Sequence, residues 1–203
     1  MKRVVILFLL TFLTPFIGFT QTSISFDYVS PFYEGFSAVK KGNQWAFINT
    51  EGVIVIDFRD DLVSTKINNE EYPIFKNNRC IIVKEENKIS YFGYIDSSGK
   101  TVINPTFLNA INFQNSIAIV LKLNKEKAGF NNVLGKNIVY YTYLEVIINK
   151  EGEIKENLTV PKNVVLSKKN LSKPPKITSK FLSDKLVLIL DEHQKWIIKK
   201  IAN

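Results

Sequence analysis

Three times along this chain an aromatic or β-branched run ends in Asn or Asp, and a Gly follows three residues later. Trp45-Ala46-Phe47-Ile48 leads into Asn49-Thr50-Glu51-Gly52, Phe92-Gly93-Tyr94-Ile95 into Asp96-Ser97-Ser98-Gly99, and Val146-Ile147-Ile148 into Asn149-Lys150-Glu151-Gly152. Asp or Asn suits the first position of a type I turn, and Gly supplies the left-handed residue that closes it. Each copy therefore predicts a hairpin between short strands. A single three-stranded meander cannot bury its own apolar face, so successive copies must stack or wrap to share a core.

Taken in order, the units are expected at about 31–72, 73–110 and 111–156. In the first, Phe36-Ser37-Ala38-Val39-Lys40, the Trp45 strand and Val53-Ile54-Val55-Ile56 form the meander, and polar residues from Asp57 to Tyr72 read as an irregular loop. In the second, Phe92 takes the Trp45 position and Gly93 the Ala46 position, and Pro105 ends the third strand because it cannot donate to a central ladder. In the third, Asn124 to Tyr143 separates the strands, with Gly129, Asn131, Asn132, Gly135 and Asn137 as turn signals in an extended hairpin. Residues 161–180, with Ser172-Lys173-Pro174-Pro175, read as a linker. Residues 181–203 read as a partial fourth unit with Leu186–Leu190 as its first strand and Trp196 leading its second.

The N-terminus carries Lys2 and Arg3, then an apolar run from Val4 to Leu13, then Thr14, Pro15 and Gly18. This arrangement predicts a signal peptide over 1–20, and hence an exported protein that is periplasmic, associated with the cell envelope or secreted. The run is shorter than the roughly 18–20 apolar residues of a membrane span. Cys80 is the lone cysteine, so no lipoprotein anchor stands at the end of that run and no internal disulfide can form. Within Cys80-Ile81-Ile82-Val83 it reads as a buried, inert thiol.

The formal charge is +8, concentrated after Val160, where Lys162, Lys168, Lys169, Lys173, Lys176, Lys180, Lys185, Lys195, Lys199 and Lys200 outnumber Asp184, Asp191 and Glu192. Dispersed lysines read as a solvated face that can lean on an anionic surface. Export and the scarcity of arginine, limited beyond the leader to Arg59 and Arg79, argue against nucleic acid. The one histidine, His193, sits in a predicted turn, so His-based metal clusters and catalytic triads are not expected, and neither is a cofactor. Asp57, Asp60, Asp61, Glu70, Glu71, Glu85 and Glu86 are the carboxylates available to a glycan hydrolase, but adjacent acids on a strand point to opposite faces.

The units resemble the WG (KWG) repeat of bacterial proteins, a short β-rich module named for a Trp-Gly pair. The residues carrying the resemblance are Glu34-Gly35-Phe36-Ser37-Ala38-Val39-Lys40, Gln44-Trp45-Ala46-Phe47-Ile48-Asn49 with Gly52, and Phe92 to Lys100 with Val102, Ile103 and Pro105. No unit holds the intact pair: Trp45 precedes Ala46, Gly93 follows Phe92, and the third unit has Glu145-Val146 there. The resemblance implies a scaffold or interaction module with no shared catalytic residues. Trp45, Gly52, Phe92, Gly93, Gly99, Gly152 and Trp196 are then repeat-forming residues. The expected fold is all-β, an open superhelical array of three-stranded meanders, with a small irregular propeller as the alternative. The expected function is non-catalytic binding of a protein or an envelope polysaccharide, with at most peripheral membrane contact; the alternative is a carbohydrate-binding or carbohydrate-active protein using loop carboxylates. Tyr140, Tyr141, Tyr143, Lys168 and Lys169 are the candidate partner surface, and oligomeric state is left open.

Overall fold

The computed structural model describes residues 24–201, so the expected signal segment over 1–20 lies outside the described residues. Every regular element among them is a strand, and all pairings are antiparallel. The first sheet runs β1 (Tyr28–Val29), β2 (Ser37–Lys41), β3 (Gln44–Ile48) and β4 (Ile54–Arg59) in chain order. A separate hairpin follows, β5 (Thr65–Ile67) with β6 (Glu70–Tyr72). The second sheet holds β7 (Cys80–Glu86), β8 (Ile89–Ile95) and β9 (Thr101–Phe107). In the third, β10 (Ile117–Asn131) pairs with β11 (Lys136–Asn149), which also pairs with β12 (Ile154–Asn157) and β13 (Lys162–Val164). The last sheet is β14 (Lys180–Ser183), β15 (Leu186–Leu190) and β16 (Trp196–Lys200). The array is all-β and built of small antiparallel sheets, none closed into a barrel.

Strand number per unit differs from the expected three. As β1 lines β2, residues 61–63 line β7 through the Leu62–Ile82 bridge and bonds from Val63 N to Ile81 O and Val83 N to Asp61 O. Residues 108–111 line β10 in the same way through Ala110 and Val120. Each of the first three meanders thus carries a fourth, lead-in segment supplied by the preceding connection. The stretch Asp57 to Tyr72, expected as an irregular loop, contains the end of β4, one lead-in and a hairpin. Most of its polar side chains face solvent, Arg59, Asp61 and Thr65 are half-buried, and Leu62 and Tyr72 are buried.

Two turns recur. Asn49 Oδ1 accepts from the N–H groups of Glu51 and Val53, Asp96 Oδ1 from Ser98 and Lys100, and Asn149 Oδ1 from Glu151 and Glu153, all within 2.8–3.2 Å. Gly52, Gly99 and Gly152 supply the positive φ. A fourth copy appears at Asp191, whose Oδ1 accepts from His193 and Lys195, with Gln194 at φ 59 in place of Gly. This shifts the expected frame of the last unit: β15 corresponds to β3, Val187 fills the Trp45 position, and Trp196 lies on the third strand, outside the repeat position assigned to it. The second recurring turn joins lead-in to strand at Glu34-Gly35, Asn77-Asn78 and Asn115-Ser116, each pair at positive φ. These turns are tied in series. The Glu34 carboxylate accepts from Asn77 N and Asn78 N, Asn77 Oδ1 accepts from Ser116 N, and Asn115 donates to Asp184.

The cores lie between units. Trp45, Phe47 and Ile56 of the first sheet cluster with Phe75, Cys80, Ile82 and Ile95 of the second unit. On β7, Ile81 points the other way and joins Phe92, Tyr94, Ile103, Val120, Val146 and Ile148. Ile119 and Ile147 of the third sheet turn towards Val187, Ile189 and Ile201. This is the period-two alternation of strands, and it leaves the second and third sheets buried on both faces. Turns are fitted to the preceding sheet: a Cβ on Gly99 would stand 3.3 Å from Ile56, and one on Gly152 would stand 3.3 Å from Ile103. Arg59 Nη1 donates to Gly99 O at 2.9 Å, and Arg79 donates to Lys150 O at 3.0 and 3.2 Å. Both arginines are thereby spent on joining units.

Residues 161–180, expected as a linker, are bound along the third sheet instead. β13 pairs with β11, Leu171 is buried, and Glu145 captures the end of the segment. Its composition reflects a strap with few strand bonds rather than a free connection.

Candidate partner surface

The long hairpin grows from ordinary strand chemistry. β10 and β11 stay paired from Ile117–Asn149 out to Asn131–Lys136, with one register shift between Lys127 and Gly129. The expected turns at Gly129 and Asn131 are therefore a bulge and the approach to the tip, where Asn131 Oδ1 caps the N–H groups of Val133 and Leu134. That tip is apolar. Val133 is 93% exposed and Leu134 67%, with Phe130 beside them. Sequence reading missed this pair, although two adjacent aliphatics among Asn and Gly were the available signal.

Tyr140 and Tyr141 lie on the outer half of β11, and Tyr143 lies further in. Tyr140 is exposed, and its hydroxyl donates to Glu126 Oε2 at 2.5 Å. That hydrogen bond, then the carboxylate's charge, raises its pKa and keeps the phenol neutral. Tyr141 stands opposite Lys125 on one side and Val164 on the other, and with Val139, Tyr140, Val165 and Leu166 it lines an open cleft of about 620 Å³. Tyr143 is half-buried against Leu108, Leu121 and Leu171, a packing residue. Lys168 and Lys169 are exposed on a turn just past Leu166, so they flank the cleft without lining it. The strand edge is the distinctive feature. β12 covers β11 at Val146–Ile148 and β13 covers it at Tyr141–Tyr143, while Lys136–Tyr140 has no partner on that side among the described residues.

The carboxylates sort differently. Asp60, Asp61 and Glu85 line a second open cleft of about 710 Å³ with Lys84 and Pro105. Asp61 is held there by Arg59, Nε to Oδ1 at 2.5 Å and Nη2 to Oδ2 at 2.7 Å. A carboxylate locked in a two-pronged guanidinium pair is a poor base or nucleophile. Glu145, at the Trp position of the third unit, is the buried acid. Its Oε1 accepts from Thr178 N and Oγ1 and its Oε2 from Ser179 N, all at 2.8 Å, which makes it an anchor for the strap. Cys80 is fully buried, and desolvation pushes its thiol far up. His193 is exposed in the Asp191 turn. No grouping of three potential metal ligands occurs among the described residues, and no helix there is long and apolar enough to cross a membrane.

The repeat-forming residues occupy joints rather than a site. Trp45 packs edge-on to Tyr28, Phe92 packs within the second core, and a Cβ on Gly93 would meet Ile103 O at 2.3 Å. No curated protein and no solved structure matches the chain. The family model described as a WG containing repeat matches residues 23–45, from the first lead-in to Trp45, and 92–125, from Phe92 into β10. Over those two segments the chain carries the WG containing repeat.

Proposed function

We propose that this protein is an exported, non-catalytic scaffold that binds an extended polypeptide of the cell envelope along the free edge of β11. The carrying observation is the edge at Lys136–Tyr140: β13 occupies the same side of the same strand over the next three residues, Tyr141–Tyr143, so the chain itself illustrates the antiparallel segment that the edge accepts. Val139, Tyr140 and Tyr141 would provide the side-chain pocket next to it. Stacking of unequal units as an open superhelical row leaves this hairpin projecting from the array. Export by residues 1–20 delivers it to the periplasm or surface. The acids near Asp60 lie in a cleft whose Asp61 is already paired, which favours binding over hydrolysis.

The test places a photo-crosslinking side chain at Tyr140 in one variant and at exposed Val53 of the first unit in another. One defined polypeptide joined at Tyr140, absent at Val53 and lost with Val139→Lys, is the expected result, since a lysine on an open edge opposes strand addition. Equal labelling at both sites, or a glycan-hydrolysing activity removed by replacing Asp57, Asp60 or Asp61, would overturn it.

A further inference from the structure

The second and third sheets carry apolar side chains on both faces, and a neighbouring unit covers each face. The last sheet is apolar on both faces as well, but among the described residues only one is covered. Val187 and Ile189 turn inward and are buried. The pairs Leu190–Trp196, Leu188–Ile198 and Leu186–Lys200 lie on the opposite face, with Lys180 across from Leu188. The three leucines there are partly exposed, Trp196 is 51% exposed and Ile198 60%. Repeat arrays ordinarily end on a polar outer face.

Charge decides what suits this face. Lys180 Nζ stands 5.6 Å from the Trp196 ring centroid, Lys200 shares the face, Lys185 lies at one end and Lys195 at the other. The nearby acids are Asp184, directed to Asn115, Asp191, directed into its own turn, and Glu192, so the four lysines stay in excess. A second copy would bring two lysine-edged faces together. Three short strands also offer only on the order of a few hundred Å², against roughly 800 Å² per partner in stable complexes. A lipid surface requires neither shape complementarity nor that area. Tryptophan favours the headgroup boundary, and lysines favour anionic headgroups.

We propose that the outer face of β14–β16 docks on an anionic lipid surface, with Trp196, Ile198 and Leu188 at the headgroup–acyl boundary and Lys180, Lys185, Lys195 and Lys200 against the phosphates. This goes beyond the edge-binding reading and uses a different surface.

The test is sedimentation of residues 21–203, the chain expected after export, with vesicles of phosphatidylcholine mixed with phosphatidylglycerol, and with vesicles of phosphatidylcholine alone. Binding is expected to the first only and to weaken with salt. Emission should shift to the blue and arise from Trp196, because Trp45 is already buried. Lys180→Glu with Lys200→Glu is expected to lower partitioning roughly thirtyfold or more. Ile198→Asp, at an exposed position and with an unchanged circular dichroism spectrum, should also lower it. No binding, equal binding to both vesicles, or variants that bind like the parent would overturn the proposal. So would a lipid-free dimer that protects Trp196, or an acidic protein that takes this face while vesicles do not. Val139→Lys is expected to leave vesicle binding intact while removing the edge partner, so the two proposals fail separately.

Discussion

Replacing Gly93 by Ala adds one methyl at the most crowded joint of the second unit. Between the pairs Phe92–Phe107 and Tyr94–Ile103, β8 has one intervening residue, Gly93, while β9 has three, Asn104, Pro105 and Thr106, in a bulge folded over Gly93. The new Cβ would stand 2.3 Å from Ile103 O, 2.7 Å from Pro105 N and 2.8 Å from Asn104 C, all backbone atoms. Relief requires β9 to retreat by about 1 Å, at the cost of its ladder bonds to β8. Overpacking of this kind costs about 1–3 kcal/mol and a weakened ladder about 1 more, so roughly 2–4 kcal/mol is expected. For a domain of this size that lowers Tm by about 5–15 °C. Urea unfolding followed by far-ultraviolet circular dichroism measures it. The control is Gly129→Ala, where a Cβ meets nothing within 4 Å, and little change is expected. If Gly93→Ala stays within about 0.5 kcal/mol of the parent, the bulge is compliant and the close-approach reasoning fails.

Trp45→Ala should cost about 3–5 kcal/mol, because it empties the core shared by the first two units; an unchanged Tm would remove Trp45 from that role. Glu145→Gln keeps one acceptor oxygen but turns an amide towards the Ser179 N–H, so a loss of about 1–3 kcal/mol and faster protease cleavage within 161–180 are expected, measured by limited digestion. The Ser98 hydroxyl above all, then the backbone N–H groups of Ser98 and Lys100, hold the Asp96 carboxyl below its usual pKa. Its stabilisation is therefore fully present above the unfolded value of about 3.9 and is lost as pH falls through the lower folded one. The contribution is small because the turn is solvated. Asp96→Asn, the residue used at 49 and 149, should keep the turn and flatten that acid limb in stability measured against pH. Cys80 should resist alkylation in the folded protein and react only on unfolding, since its thiolate would be stripped of water; rapid native labelling would contradict its burial.

Local chemistry was legible wherever one residue controls its own backbone. The three Asx-Gly hairpins, the period-two strands and the small residue beside Trp45 or Phe92 follow from side-chain capping, left-handed glycine and strand alternation. The turn between Leu190 and Trp196 was expected, but Gln194 adopts positive φ without glycine as a marker, so it was not matched to the other three and the frame of the last unit slipped. Long-range placement was not legible. Glu145 read as a lapse in the repeat, yet only the folded chain brings Thr178 and Ser179 to its carboxylate. Asp60 and Asp61 read as free acids until Arg59 turned onto Asp61. What the sequence alone determined is the repeated unit, since turn and strand preferences act over a few residues. Tertiary structure decided the lead-in strands, the bound strap, the open edge at Lys136–Tyr140 and the uncovered face holding Trp196, because each depends on which neighbour arrives beside it.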